Sequence, residues 1–252
     1  GLAAFVLAAP SDAEPAPRLS GMVTRQQGRD LTPIGKTGLW ATVMEVANDQ
    51  KFHYEFTQGR NRIGGGSIEM PGWAYPPESS ERPGQSYGTF REFHFRSEVF
   101  GNDRTGWIYI PAAYSGSEPA ALMVFQDGDA YRREHVGTVV ENLIADGEMP
   151  VTILALLNPG VNDDGSPNRS VEYDTLSDRY ATFLAEEVIP RLAQEFHLKD
   201  DPSYRAIGGA SSGGICAFTV AWERPDLFGR VCSHIGSFTD IRGGGAYPRI
   251  VR

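Results

Sequence analysis

The sequence predicts an α/β protein with a mostly parallel sheet and helices on both faces, preceded by a small all-β fragment. Before about residue 110, apolar and polar residues alternate in short runs, as in half-buried strands. After residue 120, continuous apolar runs, typical of doubly covered strands, alternate with segments of helical spacing. The length of 252 residues suits one large domain, or one domain and a small module.

The first 38 residues are interpreted as a signal-peptide remnant followed by a linker. Residues 1–10 are apolar and rich in small side chains, like the second half of a secretory signal peptide, with cleavage chemistry near Leu7 to Ala9. A disordered Ala/Pro arm is the alternative. Since an initiator Met and a basic segment are missing, we expect the chain to begin inside a longer gene product. No run approaches the roughly 20 apolar residues of a membrane helix.

Residues 39–72 predict a partial β module. The runs 40–46 and 52–57 alternate in polarity and are separated by Ala47-Asn48-Asp49-Gln50, which predicts a hairpin. A third short strand is expected at 67–70. Residues 73–88 belong to a segment rich in proline and glycine and are interpreted as an interdomain linker.

Residues 89–252 predict the α/β domain. It opens with a second hairpin, in which 90–100 pairs with 107–110. The apolar patterns then predict strands at 122–125, 151–157, 205–208 and 231–234, and helices at 136–144, 180–196 and 212–223. Pro190 is expected to kink the second helix.

Gly209-Ala210-Ser211-Ser212-Gly213 lies between a predicted strand and a predicted helix, as a nucleophile elbow requires. Glycines are needed there because a Cβ at the flanking positions would clash with neighbouring backbone. Ser211 is the candidate nucleophile, and an ordinary glycine-rich turn is the alternative. A phosphate loop does not fit, because no Gly-x-Gly-x-x-Gly forms here, and Asp30 stands where a P-loop ending at Gly35-Lys36-Thr37 needs glycine.

An acyl-transfer site also needs donors for the developing oxyanion. The helix N-terminus after Ser211 supplies the N–H of Ser212. The loop Gln126-Asp127-Gly128-Asp129 follows a predicted strand, and its Asp129 amide is the candidate second donor. The alternative for this loop is a simple Asp-Gly turn.

From about residue 90 onward, the chain resembles the enterochelin-esterase-like branch of the esterase D superfamily. Five stretches carry the resemblance in the right order: Leu122 to Gly128, Asn158-Pro159-Gly160, Arg169 to Asp174, Gly209 to Gly214, and Ser233 to Phe238. The resemblance implies an α/β-hydrolase fold and serine ester hydrolysis, with Ser211 as nucleophile. Residues 39–72 look like the later strands of the immunoglobulin-like (E-set) module that often precedes this domain.

The resemblance also suggests residues that line the substrate site, although a surface ion pair between Arg169 and Glu172 is the alternative for that pair. The candidate substrate-binding residues are Asp127, Gly128, Arg169, Glu172 and Ser237.

The base and acid that should accompany the serine are not evident. His234 is the only histidine after Ser211, and it lies in a predicted strand, so we expect a structural role for it. The family's acid and histidine come from loops further along. We therefore expect the chain to be truncated at its C-terminus, with an incomplete sheet and no activity of its own.

Composition limits the partners. A net charge of −9 and a pI near 5.1 give no support for binding nucleic acid or an anionic membrane surface. The histidines are scattered, so no metal or other cofactor is implied. Cys216 and Cys232 are expected to be buried free thiols, with a disulfide or a role in the chemistry as the alternatives. The expected partner is a small-molecule or carbohydrate ester outside the cytoplasm, in a secreted or periplasmic setting. A non-catalytic carbohydrate- or partner-binding protein and an acyltransferase are the competing functions.

Overall fold

The computed structural model describes residues 1–24 and 27–251 and divides into two compact units, residues 1–75 and the residues from 76 onward. The first unit contains two antiparallel sheets. Their strands are β1 (Leu2–Ala8), β2 (Arg18–Gly21), β3 (Arg29–Asp30), β4 (Thr32–Pro33), β5 (Leu39–Glu45), β6 (Lys51–Gln58) and β7 (Asn61–Glu69). One sheet has the order β1-β5-β4 and the other β3-β2-β6-β7.

A single apolar core joins these two sheets. Phe5 of β1 and Trp40 of β5 pack in it with Leu19 of β2 and Phe52 and Phe56 of β6. Burying each of these side chains stabilises the fold by about 1.5–3 kcal/mol. The first unit is therefore a small β-sandwich.

The interpretation of residues 1–38 as a signal-peptide remnant and linker is wrong for this structure. The strand β1 pairs with β5 along its whole length, from Leu2 opposite Glu45 to Ala8 opposite Leu39. Ala3 and Phe5 are buried while the residues beside them are exposed, so the apolar run is a strand with one buried face. The β module accordingly begins near residue 2 instead of residue 39.

The predicted hairpin between 40–46 and 52–57 is also wrong. Both strands exist, as β5 and β6, but they lie in different sheets. β5 pairs with β1 and β4, whereas β6 pairs with β2 and β7. β5 and β6 pair with strands from earlier in the chain, and this pairing replaces the predicted hairpin between them.

The second unit contains one six-stranded sheet with helices along the chain between its strands. Its elements are β8 (Thr89–Ser97), β9 (Asn102–Ile110), β10 (Ala121–Gln126), α1 (Gly128–Arg133), α2 (Val136–Ala145), β11 (Thr152–Leu157), α3 (Arg169–Asp174), α4 (Arg179–Phe183), α5 (Ile189–Glu195), β12 (Arg205–Ala210), α6 (Ser212–Glu223), β13 (Arg230–His234) and α7 (Tyr247–Ile250). A π-helical turn, Leu184–Val188, joins α4 to α5 just before Pro190.

The sheet order is β13-β12-β10-β11-β9-β8. The strands β13, β12, β10 and β11 are parallel, and β9 and β8 add an antiparallel hairpin at one edge. The predicted mixed α/β fold with a preceding β module is thereby confirmed. Because parallel strands end at the same edge of a sheet, the loops after β10, β11, β12 and β13 meet there.

The main core of this unit lies under the helices α3 to α6. It contains Val124, Ile153 and Ile207 from the sheet and Phe183 and Val220 from the helices. Both cysteines are free, and burial raises the pKa of the Cys216 thiol. Within residues 1–24 and 27–251, no helix combines the length and apolarity that a bilayer crossing requires.

Candidate active site

Ser211 occupies a sharp turn between β12 and α6. Its backbone has φ 56° and ψ −119°, a conformation that L-residues other than glycine rarely adopt. Such a conformation costs about 1–3 kcal/mol and persists only where its surroundings impose it. Here the N–H of Ser211 donates to the carbonyl of His234 and the N–H of Ser237 donates to the carbonyl of Ser211, both at 3.0 Å. The end of β13 therefore holds the turn from both sides.

The glycines beside Ser211 are required by close backbone contacts. A Cβ on Gly209 would lie 2.4 Å from the carbonyl oxygen of Gly213, and one on Gly214 would lie 2.8 Å from that of His234. A Cβ on Gly213 would approach a carboxylate oxygen of Asp127 to 3.2 Å. The Gly-x-Ser-x-Gly pattern thus lets α6 start directly against β12 and against the loop after β10.

The backbone N–H of Ser212 lies at the start of α6, directly after Ser211. Ser212 is the first residue of α6, where backbone N–H groups have no partner inside the helix. No acceptor for this N–H occurs within the part of the chain that the structure describes. The positive end of the helix dipole adds to the attraction for a developing negative charge.

The loop after β10 approaches the turn with a fixed backbone. Asp127 adopts a left-handed conformation, with φ 59°, immediately before α1. A Cβ on Gly128 would lie 2.3 Å from the carbonyl oxygen of Leu156, so only glycine fits between this loop and β11. Gly128 therefore contributes close backbone packing to the site.

Asp129 does not offer the free amide that the sequence predicted. Its N–H donates to Oδ1 of Asn158 at 2.9 Å. Its side chain accepts a hydrogen bond from Nε1 of Trp107 at 2.7 Å. The prediction of Asp129 as a ready oxyanion donor is wrong for this structure, because the neighbouring loop already satisfies the amide.

Arg169 and Asp127 form a bidentate ion pair across two loops. Nε of Arg169 donates to Oδ1 of Asp127 at 2.7 Å, and Nη2 donates to Oδ2 at 2.8 Å. This carboxylate also raises the pKa of the Arg169 guanidinium. The Arg169 side chain retains 37% of its accessible surface, so it remains available at the surface of the site. The alternative of an ion pair between Arg169 and Glu172 is thereby excluded.

Glu172 is buried and cannot contact a substrate, which corrects its prediction as a substrate-binding residue. It pairs with Arg104 at 2.5 Å, and the Glu172 and Arg104 side chains are 0% and 2% exposed. The Glu172 carboxylate also accepts hydrogen bonds from the N–H of Gly160 and from the side chains of Asn102 and Asn168. Its role is to hold the loop after β11.

A cleft of about 450 Å³ opens beside Ser211 at the carboxyl edge of the parallel strands. Of the residues predicted for the site, Ser211, Asp127, Asp129 and Arg169 line it. Ser237 places its Oγ 3.0 Å from that of Ser211. The structure adds residues that the sequence analysis did not assign to the site: Ala130, Tyr131, Arg133, Asn158, Pro159 and Ala210. Asn158 lay in one of the family stretches, which was the available signal for it.

His234 contacts the turn through its backbone, while its ring points elsewhere. Its Nε2 lies 3.0 Å from Sγ of Cys232, and its Nδ1 lies 3.5 Å from the hydroxyl of Tyr131. Burial raises the pKa of Tyr131 to about 12. Within the described residues, no imidazole or carboxylate forms a hydrogen bond with Oγ of Ser211. This geometry agrees with the expected structural role of His234.

The parallel sheet, the strained serine at a strand–helix turn and the free helix N–H beside it define a protein with the α/β-hydrolase fold. Residues 97–239, more than half of the chain, match the model of the Esterase family. The chain therefore belongs to the Esterase family.

Individual relatives agree with this assignment. A Xylanibacter ruminicola protein described as an endo-1,4-beta-xylanase/feruloyl esterase is 26% identical over 242 residues, which cover 84% of this chain and 31% of that protein. An iron(III) enterobactin esterase of Dickeya dadantii is 25% identical over 170 residues, covering 66% of this chain and 36% of that protein. The solved enterochelin esterase of Shigella flexneri has the same fold, with a TM-score of 0.73 at 17% identity over 94% of this chain and 71% of that one. The chain spans 31% to 60% of the lengths of its curated relatives.

Proposed function

We propose that this chain carries the nucleophile and oxyanion-binding part of a serine-dependent carboxylic ester hydrolase. The observation that carries the proposal is Ser211, held at φ 56° directly before the unpartnered N–H of Ser212. A carbonyl carbon bonded to Oγ of Ser211 would have its oxygen near the start of α6. Strained backbone of this kind clusters at active sites, and a serine held in a sharp strand–helix turn is the arrangement of a nucleophile elbow.

The proposed reaction forms an acyl-enzyme. Oγ of Ser211 attacks the ester carbonyl, a base takes the hydroxyl proton, and the oxyanion binds the Ser212 N–H. Collapse of the tetrahedral intermediate breaks the bond to the alcohol, which leaves with the proton returned by the base, and acyl-Ser211 remains. Water, deprotonated by the same base, then attacks acyl-Ser211, and the carboxylic acid leaves as the hydroxyl of Ser211 regains its proton. The base is not supplied by His234, whose ring is directed at Cys232 and Tyr131. We therefore expect the 252 residues by themselves to turn over little ester.

The proposed substrates are small or carbohydrate-linked esters of siderophore, feruloyl or acetyl type. The support comes from the relatives of this chain, which include enterobactin esterases and a xylanase/feruloyl esterase. The cleft of about 450 Å³ is the size of a small-ligand site, with the Asp127–Arg169 pair at its wall. An extracytoplasmic setting remains part of this proposal. We also propose that the β-sandwich of residues 1–75 is an immunoglobulin-like (E-set) module.

The test is hydrolysis of p-nitrophenyl acetate by the natural full-length protein. Ser211→Ala is expected to lower kcat by several orders of magnitude, because the acyl-enzyme cannot form. Ser115→Ala, a change at an exposed serine on a distant loop, is the matched control and should leave turnover unchanged. Undiminished hydrolysis by Ser211→Ala would overturn the assignment, and robust turnover by the isolated 252 residues would show that the base lies within them.

A non-catalytic binding protein is the second candidate. The observation in its favour is that Oγ of Ser211 meets another serine, Ser237, instead of a base within the described residues. A full-length protein that binds esters saturably without hydrolysing them would support this function. An acyltransferase would instead pass the acyl group to an added sugar, which product analysis with and without the sugar distinguishes.

A further inference from the structure

A second groove of about 300 Å³ adjoins the cleft beside Ser211. Asp129 and Asn158 line both the groove and the cleft, so the two meet at these residues. Away from these shared residues, the groove runs over the hairpin of β8 and β9. A ligand whose ester lies at Ser211 can therefore extend past Asp129 onto this hairpin.

The floor of the groove is one face of an antiparallel pair. Glu92 of β8 lies opposite Trp107 of β9, and His94 lies opposite Thr105. Because side chains alternate along a strand, these four point to the same face. Both Glu92 and His94 are exposed, so their polar atoms are available to a ligand.

Trp107 is fixed within this floor. Its Nε1 donates to Oδ1 of Asp129 at 2.7 Å, and the guanidinium of Arg132 lies 3.8 Å from the centre of its ring. An aromatic side chain immobilised in this way presents an apolar surface at little cost in conformational entropy. The half-buried indole is thus a preformed platform.

The polar groups around this platform select the kind of ligand. Glu92 and Asp129 are carboxylates, which accept hydrogen bonds from hydroxyl groups, and Thr105, His94 and Asn158 can donate or accept. The charged residues that line the groove, among those the structure describes, are these two carboxylates, so an anionic ligand would be repelled by them. The neighbouring guanidinium of Arg132 is engaged with the ring of Trp107. A neutral ring with several hydroxyl groups and an apolar face fits this combination.

We propose that this groove binds a neutral sugar unit of a carbohydrate ester, in a subsite adjoining the cleft of Ser211. The inference rests on the proposed function, because it takes the ester to lie at Ser211. Trp107 contacts the apolar face of the sugar, and Glu92 and Asp129 accept hydrogen bonds from its hydroxyl groups.

The test is a two-dimensional NMR titration of the 252-residue chain with xylotriose, a small neutral oligosaccharide. The indole N–H signal of Trp107, assigned from its loss in Trp107→Phe, is expected to shift saturably. Glucuronic acid should bind more weakly because of its charge. Glu92→Gln, an exposed change that spares the fold, is expected to weaken xylotriose binding by about threefold or more. Glu98→Gln, an exposed glutamate just beyond the end of β8, is the matched control.

The absence of a saturable Trp107 shift with xylotriose would overturn the subsite. A shift that is equal in Glu92→Gln and wild type, or stronger binding of glucuronic acid, would overturn the proposed chemistry. A phenolic acid such as ferulate that shifts Trp107 while xylotriose does not would assign the groove to the acyl part instead. These outcomes do not depend on turnover. A Ser211→Ala protein that still hydrolyses ester would therefore refute the proposed function and leave this titration unchanged.

Discussion

Arg104 and Glu172 form an ion pair that is almost completely removed from solvent. Nη1 of Arg104 lies 2.5 Å from Oε2 of Glu172, and Nη2 donates to the carbonyl of Asn158 at 3.1 Å. The guanidinium also lies 4.4 Å from the centre of the Phe183 ring. The side chain of Asn158 accepts a hydrogen bond from the N–H of Asp129. The buried pair therefore supports the wall of the cleft through Asn158.

Removing the Glu172 carboxylate should destabilise the protein strongly. Glu172→Ala leaves the charge of Arg104 buried without its partner, which costs about 3–5 kcal/mol. Urea unfolding gives the free energy of unfolding directly. Arg224→Ala is the control, since it breaks the exposed Arg224–Asp226 pair, where a loss of at most about 1 kcal/mol is expected. Similar losses in the two variants would contradict the structural role of Glu172.

Disrupting the ion pair between Arg169 and Asp127 should lower activity more than it lowers stability. Because the Arg169 side chain is 37% exposed, Arg169→Ala is expected to cost less than about 1 kcal/mol of unfolding free energy. In the full-length protein, kcat/KM for p-nitrophenyl acetate should nevertheless fall, since the loop after β10 loses its tie to α3. Arg169→Lys should restore little, because an ammonium cannot reproduce the bidentate geometry.

Arg133→Ala tests whether the loss of a positive charge alone explains the fall in kcat/KM expected for Arg169→Ala. Arg133 lines the same cleft and is exposed. If positioning of Asp127 matters, Arg133→Ala should leave kcat/KM nearer the wild-type value than Arg169→Ala does. Equal losses in the two variants would instead indicate a general electrostatic effect on substrate binding.

Adding a methyl group at Gly128 should displace the loop after β10. The new Cβ would lie 2.3 Å from the carbonyl oxygen of Leu156, too close for any real contact. We expect Gly128→Ala to lower both the melting temperature and the activity of the full-length protein. Gly245→Ala is the control, because its Cβ would meet Asp240 at an ordinary 3.6 Å. A Gly128→Ala protein with wild-type melting temperature and activity would show that the loop can move without consequence.

Alkaline pH should weaken the fold through Tyr131. Burial raises the pKa of Tyr131 from 10 to about 12, so the folded state binds the phenolic proton more tightly than the unfolded state. The resulting stability is complete below pH 10 and is lost as the pH rises from about 10 to 12. Urea unfolding at increasing pH measures this loss, and its slope should be smaller in Tyr131→Phe. Identical slopes would contradict the shift.

The sequence was sufficient for the parallel sheet and the strained turn at Ser211 because both depend on local patterns. Apolar runs marked β10 to β13, and the glycines around Ser211 marked a turn with close backbone contacts. Glu172 was assigned to the substrate site from the family resemblance, and its buried partner Arg104 lies 68 residues away, where no local pattern connects the two. The Asp127–Arg169 pair, 42 residues apart, likewise depends on tertiary structure.

The N-terminal residues were misinterpreted because their local apolar pattern fits both a signal peptide and a half-buried strand. Leu2–Ala8 is as apolar as a signal peptide, yet every second residue of its first part is buried. The choice between a signal peptide and a strand is decided by pairing with β5, which lies about 40 residues later in the chain. Periodicity alone does not reveal this partner or its register. The same long-range pairing separated β5 from β6.

The hydrogen bonds around Ser211 imply an order of events on heating. The strand β13, which provides the carbonyl of His234 and leads to the N–H of Ser237, is the outermost strand of its sheet in the described part of the chain. Outer strands fray at lower free-energy cost than the strands inside a sheet. Once β13 frays, the N–H of Ser211 loses its acceptor, and the backbone hydrogen bonds that remain at this residue are those from Gly214 and Ile215 of α6 to its carbonyl. In the 252-residue chain, the turn at Ser211 should therefore relax at a lower temperature than that at which the domain melts cooperatively, and cooling from that intermediate range should restore the turn without refolding.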